Sequence, residues 1–206
     1  VFMSGQLLLR SVMEERTSRT IEILLCSVTP DELMRGKILG LGALGTVQMF
    51  FYLIVAVLIT NYKGLTMIEY SQIPFFLIYF VTGYLFYAAI FAAMGTFFTS
   101  EQEAQQSSGF ISIIAILPIA FASYFITNPE SSFTIASSYF PPLTPFMMMI
   151  RLGTESVGLN EIILTTVLMI LSCWVLLKIS GKIFRTALLL YGKKITVKEI
   201  FYWIRY

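Results

Sequence analysis

The sequence predicts an all-α integral membrane protein: a polytopic helical bundle of four complete transmembrane helices plus the end of a fifth, with amphipathic cytoplasmic helices. Three observations carry this prediction. Four long apolar stretches, Ile38 to Ile59, Ile73 to Phe98, Gly109 to Thr127 and Ile162 to Leu177, contain no ionisable residue. Crossing ~30 Å of hydrocarbon takes about 20 apolar helical residues. The first three stretches reach that length, and the fourth does so with its uncharged flanks and a snorkelling Lys178 stem. Composition agrees, with 57% hydrophobic residues, 13% charged residues and a mean hydropathy of +0.79, far from soluble-domain averages. The cations are also one-sided: of 14 Lys and Arg, only Lys63 and Arg151 fall away from the face that holds the others. The positive-inside bias then places both visible ends in the cytoplasm of a cell-membrane protein, with the Asn61 to Gln72 and Asn128 to Gly158 connections outside.

Element by element, Val1 to Leu9 reads as the inner end of a helix, because nine residues cannot span and Arg10 and Arg16 follow it. The expectation is a single transmembrane domain over residues 1–206, truncated at its N-terminus. Residues 1–15 are the end of a helix, 16–35 a cytoplasmic loop, 36–180 the four spans and 181–206 a cytoplasmic amphipathic tail.

Within the loop, Ile21, Leu24, Leu25 and Val28 follow helical spacing and form one apolar stripe, with Arg19 and Glu22 facing away. The cluster Glu14, Glu15, Arg16 and Arg19 lies at its entry. Thr29-Pro30 ends this helix, and Thr29 to Glu32 reads as a capping box that starts the next, with Pro30 at its first position. The residues alone leave two roles open for the short helix: lying on lipid headgroups or docking a cytoplasmic partner.

Gly40, Gly42 and Gly45 spell G-x-G-x-x-G, but with no strand before them and no βαβ unit around them they do not read as a dinucleotide turn. Gly36 and Gly40 also form G-x-x-x-G, and helix packing in lipid accounts for these glycines. Ala88, Ala92 and Thr96, with Ala89 and Ala93, make a second small-residue face that suits an internal contact or a dimer seam equally. The Thr99 to Ser108 segment reads as an inner turn, acidic through Glu101 and Glu103.

Pro141, Pro142 and Pro145 interrupt the outer connection, and Phe146 to Ile150 is too short to span, so this part is expected to be re-entrant or interfacial. Beyond the last span, Gly181 to Leu190 continues as a basic amphipathic helix closed by Gly192. Thr196 and Glu199 then cap a short helix whose Phe201, Tyr202, Trp203 and Tyr206 suit an inner-leaflet lipid anchor rather than a nucleic-acid surface.

Several chemistries are excluded. The absence of histidine removes His-based triads, H-E-x-x-H zinc sites and imidazole relays. Cys26 and Cys173 fall in the cytoplasmic segment and the last span, so they do not pair. No G-x-x-x-x-G-K-[ST] loop is present, since Gly36-Lys37 and Gly181-Lys182 are each followed by Ile and Gly192-Lys193 by Lys.

The runs Glu14-Glu15-Arg16-Thr17-Ser18-Arg19-Thr20-Ile21-Glu22-Ile23-Leu24-Leu25 and Ser27-Val28-Thr29-Pro30, followed by Gly36-Lys37-Ile38-Leu39-Gly40, resemble the cytoplasmic loop of ABC type-2 exporter permeases, in the branch that includes sodium-extruding permeases. Ser100 to Gln106, Phe140-Pro141-Pro142-Leu143-Thr144-Pro145-Phe146 ahead of Arg151, and Leu190 to Lys194 match in the same order. The resemblance implies the C-terminal part of a six-helix permease half. Its coupling helix would dock a separate ATPase through Glu14, Arg19, Ile21, Glu22, Leu24, Leu25 and Val28. Pro142, Pro145, Phe146, Met148 and Arg151 would belong to an outer gate. The implied partners are an ABC ATPase subunit, a second permease half, identical or different, and membrane lipid. No cofactor is expected on this chain, ATP being bound by the partner, and no enzymatic site of its own is expected. Carriers driven by ion gradients usually hold ionisable residues at depth. The bare spans therefore favour ATP-driven efflux over the alternatives, a gradient-driven transporter or channel, or a scaffold without transport.

Overall fold

The computed structural model describes residues 2–17, 26–63, 70–98, 100–154 and 157–189, and every element among them is helical. Eight α-helices follow in order: α1 Phe2–Thr17, α2 Pro30–Lys63, α3 Ile73–Gly95, α4 Glu101–Ala120, α5 Ala122–Thr127, α6 Ser132–Ser138, α7 Thr144–Thr154 and α8 Leu159–Leu189, with a 3-10 turn at Tyr70–Gln72. Four helical segments are long and apolar enough to cross a membrane: Glu32–Ile59, Ile73–Gly95, Gln102–Thr127 and Leu159–Thr186. Each contains one of the four apolar stretches or most of it.

Helix α3 is the centre of the bundle. It is apolar on every side, as expected of a helix surrounded by other helices, and its buried residues run from Tyr79 through Gly95. Contacts fix the directions of its neighbours. A Cβ on Gly5 of α1 would overlap the Phe91 ring, and one on Gly95 would lie 2.9 Å from the Leu9 carbonyl oxygen and from Val12 Cβ; α1 therefore runs parallel to α3. Tyr79 and Thr82 of α3 meet Thr165 and Cys173 of α8 in the same order, so α8 is parallel too. Tyr84 donates to the Ile38 carbonyl of α2 at 2.8 Å, and Phe80 lies beside Gly45, so α2 is antiparallel. The small-residue face of α3 is an internal seam: Ala88 and Ala92 pack with Leu8 and Val12 of α1.

Local signals explain the helix ends. Thr29 and Glu32 form the expected capping box: the Thr29 N–H and hydroxyl donate to Glu32 Oε2 at 2.9 and 2.7 Å, and the Glu32 N–H donates to Thr29 Oγ1 at 3.4 Å. Pro30 is the first residue of α2. The segment expected as an inner turn, Thr99 to Ser108, is instead helical from Glu101. Ser100 caps it by accepting from the Glu103 N–H at 3.3 Å, and acidic residues in a first turn suit the positive end of the helix dipole. Pro118 lies inside α4, which ends two residues later.

Candidate functional site

The two regions singled out for function lie at opposite ends of the bundle. At the end carrying Arg35, Lys178, Lys182 and Arg185, α1 and α2 leave and re-enter the helix layer on either side of the loop. Residues 18–25 lie outside the described part of the chain, and with them Arg19, Ile21, Glu22, Leu24 and Leu25. Glu14 is on the exposed face of α1, where it accepts from Arg10 Nε at 3.0 Å one turn away. Val28 is exposed in the bend before α2.

The bases of the two helices are tied together. Lys37 Nζ of α2 donates to the Ser11 carbonyl at 3.0 Å and to its hydroxyl at 2.6 Å. Met34 and Ile38, on the same side of α2, are buried against Leu8, Val12 and Phe184. The ends of α1 and α2 that flank the loop are thus joined to each other and to the core on α3.

At the other end, the chain between α5 and α8 folds back into the bundle. The Pro145 ring lies 2.7 Å from where a Cβ of Gly83 would sit. At about 1.5 Å per residue Gly83 is ~15 Å along α3 from Ile73, close to the middle of this 23-residue helix. Tyr87 holds the turn by donating to the Pro142 carbonyl at 2.6 Å and by an edge-on contact with Phe146, centroids 5.9 Å apart. Helix α7 then climbs back outward, with Met148 and Leu152 buried against Tyr79 and Ile162. The turn thus reaches the level of mid-α3, and Thr144, Pro145, Met147 and Met148 are buried there. Pro142, Pro145, Phe146 and Met148 are thus brought together on α3, and Arg151 leaves the group for α8. Its NH1 lies 2.8 Å from Glu161 Oε2, with side chains 8% and 33% exposed. The two atoms are at ion-pair distance but outside hydrogen-bond geometry, and neither has another hydrogen-bonding partner.

The glycines divide. A Cβ on Gly42 would lie 2.7 Å from Tyr84 Cε1, and one on Gly45 would lie 3.3 Å from Ser4 Oγ, whereas Gly36 and Gly40 have nothing within 4 Å. Three residues that organise the site were not singled out from the sequence: Tyr79, Tyr87 and Glu161. Tyr79 is fully buried and shares its hydroxyl with Thr165 Oγ1 at 2.7 Å and the Ile162 carbonyl at 3.2 Å. The available signal was weak, because tyrosines in a span usually read as interfacial. Glu161 sits in the first turn of α8, where an acidic residue looks like a dipole partner.

Among the described residues no three His, Cys, Asp or Glu side chains are grouped so as to hold a metal. Neither cysteine is in a disulfide, Cys26 being exposed and Cys173 buried, and Cys173 Sγ donates to the Thr82 carbonyl at 3.1 Å. What the arrangement offers is helices joined at a few polar points between the two ends.

Residues 1–182 match the family described as ABC-2 family transporter protein. The chain belongs to the ABC-2 transporter family. Together with the four apolar helices this makes it a multi-pass membrane protein. It is 34% identical over 94% of its length to the uncharacterised protein MJ1024 of Methanocaldococcus jannaschii, covering 48% of that protein. It is also 24% identical over 97% of its length to the uncharacterised protein YhaP of Bacillus subtilis, covering 51% of it. The chain thus spans about half the length of the curated relatives it matches. No solved structure matches this ABC-2 chain.

Proposed function

We propose that the chain is the membrane-spanning permease part of an ATP-driven ABC exporter, coupling a separate ATPase subunit to substrate efflux. It works with a second permease half, with the loop end in the cytoplasm of the cell membrane. The observation that carries this reading is the clamp at the base of the loop. Lys37 of α2 is tied to Ser11 of α1, and both helices pack on α3. A rigid-body push on the loop by a partner is passed to α3 rather than absorbed, and α3 carries the re-entrant turn through Gly83 and Tyr87. Coupling needs such a chain of packed elements with two arrangements, and family membership supplies the reason to expect an ATPase at the loop.

Substrate handling then falls to apolar and weakly polar surface, which suits an amphiphilic molecule. An open cavity of about 240 Å³ between α1 and α4, lined by Gln6, Leu9, Arg10, Met13, Gln105 and Ser108 among others, has this mixed character. A gradient-driven transporter is the second reading, favoured by one observation. Glu161 is a partly buried carboxylate held by Arg151, the kind of group a coupling ion uses. It lies at the start of α8 rather than at mid-span, which weakens that reading.

The test is partner release. Leu24→Asp places a charge on the expected apolar docking stripe and should abolish co-purification of the ATPase while the permease still inserts. Undiminished co-purification, with substrate-stimulated ATPase activity retained, would remove the loop from the coupling path.

A further inference from the structure

The chain from Asn128 to Pro142 joins two levels of the bundle. Asn128 closes α5 at the end of a 26-residue span, long enough to carry the chain back past the 23 residues of α3. Pro142 is held by the Tyr87 hydroxyl, and Tyr87 lies about 21 Å along α3 from Ile73 at about 1.5 Å per residue. Helix α6 therefore lies between the outer end of the bundle and its middle. No Asp, Glu, Lys or Arg occurs from residue 131 to residue 150.

The two sides of α6 are reversed relative to a helix that faces water. Its hydroxyls are inside: Thr134, Ser137 and Ser138 are all buried. Each is used, Thr134 donating to the Asn128 carbonyl at 2.9 Å, Ser137 to the Phe133 carbonyl at 2.7 Å and Ser138 to the Thr134 carbonyl at 2.9 Å. Facing outward at spacings of three and four are Phe133, Ala136 and, just beyond the helix, Phe140, the two rings 63% and 53% exposed. Phe133 is fixed in that position. Its ring stacks on Phe125 of α5 with centroids 6.0 Å apart and meets Tyr124 edge-on at 6.3 Å. The exposed apolar surface runs on without a break through Tyr124 and Phe121 to Ile119 and Ile116 of α4, the flank of a membrane span.

We infer that the outward stripe of α6 is a contact surface for acyl chains of the outer leaflet. Water is a poor neighbour for two exposed phenyl rings while the hydroxyls of the same helix turn inward. Hydrocarbon requires every polar group to find an internal partner, and the buried hydroxyls of α6 have done so. Continuity with the flank of α4 and α5 selects lipid over a protein partner, because the bilayer that coats the span reaches the stripe directly. Ala136, small and set between the two rings, leaves a notch for a chain. The inference rests on the membrane-spanning topology and not on ATP coupling. Since α6 packs on α7, it would be the short wall between the outer segment and the surrounding lipid, so that an amphiphile released at α7 leaves sideways into the outer leaflet.

Spin-label accessibility reads the occupant directly. The full-length protein, freed of its native cysteines, is labelled at Ala136→Cys, Phe140→Cys or Glu130→Cys and reconstituted in phosphatidylcholine vesicles. Collision rates are measured with oxygen, which concentrates in hydrocarbon, and with a water-soluble nickel chelate. Glu130 is exposed in the bend before α6 and serves as the aqueous reference. The ratio of oxygen to nickel collisions should be several-fold higher at Ala136 than at Glu130, and higher again at the deeper Phe140. Phe140→Cys keeps the test decisive if the label at Ala136 prevents reconstitution. Nickel collisions as frequent on the stripe as at Glu130 would place it in water and overturn the inference. Few collisions with either reagent would place it under protein, a second permease half included, and overturn the lipid. A ratio that falls from Ala136 to Phe140 would overturn the descent of α6 into the leaflet.

Discussion

A Cβ at Gly95 would meet the Leu9 carbonyl oxygen, a backbone atom that cannot step aside, and Val12 Cβ at the same 2.9 Å. Overpacking of this kind typically costs about 1–3 kcal/mol, so Gly95→Ala should lower the unfolding midpoint in detergent. Gly36→Ala and Gly40→Ala meet open space within the described structure and should leave the midpoint of the isolated chain unchanged or slightly raised, since Ala favours a helix interior over Gly. If those two positions face the second permease half, they should instead weaken its association, which cross-linking yield would report. The ion pair of Arg151 and Glu161 is a second single-residue test. Removing one partner leaves a nearly buried charge uncompensated, at a cost of about 3–5 kcal/mol for full burial and less here because Glu161 is 33% exposed. Arg151→Gln and Glu161→Gln should each destabilise the attachment of α7 to α8, and the double variant should cost less than the two added together. Thermal unfolding of the four proteins checks this, and strict additivity would show that the two residues do not interact.

At the scale of elements, the re-entrant segment is the part most exposed to contradiction. Met148 is fully buried between α7, α3 and α8, so a cysteine there should be unreactive toward an impermeant thiol reagent in the arrangement described. If α7 belongs to a gate, reactivity should rise when a non-hydrolysable ATP analogue is bound to the complex, because a ligand that prefers one state shifts the population of every element that differs between states. Labelling that is equally low with and without nucleotide, in a complex shown to bind it, would leave α7 a static plug. Much of this element was legible: Pro141, Pro142 and Pro145 forbid a continuous helix and Phe146 to Ile150 is too short to span. What the sequence withheld was its depth, which Gly83 and Tyr87 on α3 set and which no local pattern in the segment encodes. The capping box was legible because both of its halves lie within four residues, Thr29 and Glu32. The start of α4 was misread as a turn because Ser100, its N-cap, sits in a polar run that resembles a loop. The loop stripe from Ile21 to Leu25 falls outside the described residues, so its role stands on its helical spacing and the resemblance.

At the scale of the whole molecule, four spans and their order follow from hydropathy and length, whereas the central position of Ile73–Gly95 is shown only by the contacts of α3. The partnering of faces does not: Ala88 and Ala92 suited a dimer seam as well as the contact with α1 that they make. Function at this scale turns on the energy source. The cations of α2 and α8 lie near the loop end apart from Lys63 at the far end of α2, and Glu161 is paired with Arg151 at the start of α8, so among the described residues no carboxylate or cation lies in the middle of a span where a coupling ion would bind. The most direct measurement is transport in sealed inverted vesicles holding the complete complex, with ATP supplied and ionophores collapsing the proton and sodium gradients. The account predicts uptake of an amphiphilic substrate that requires ATP and survives the ionophores. Uptake that stops with the gradients and proceeds without ATP would contradict it.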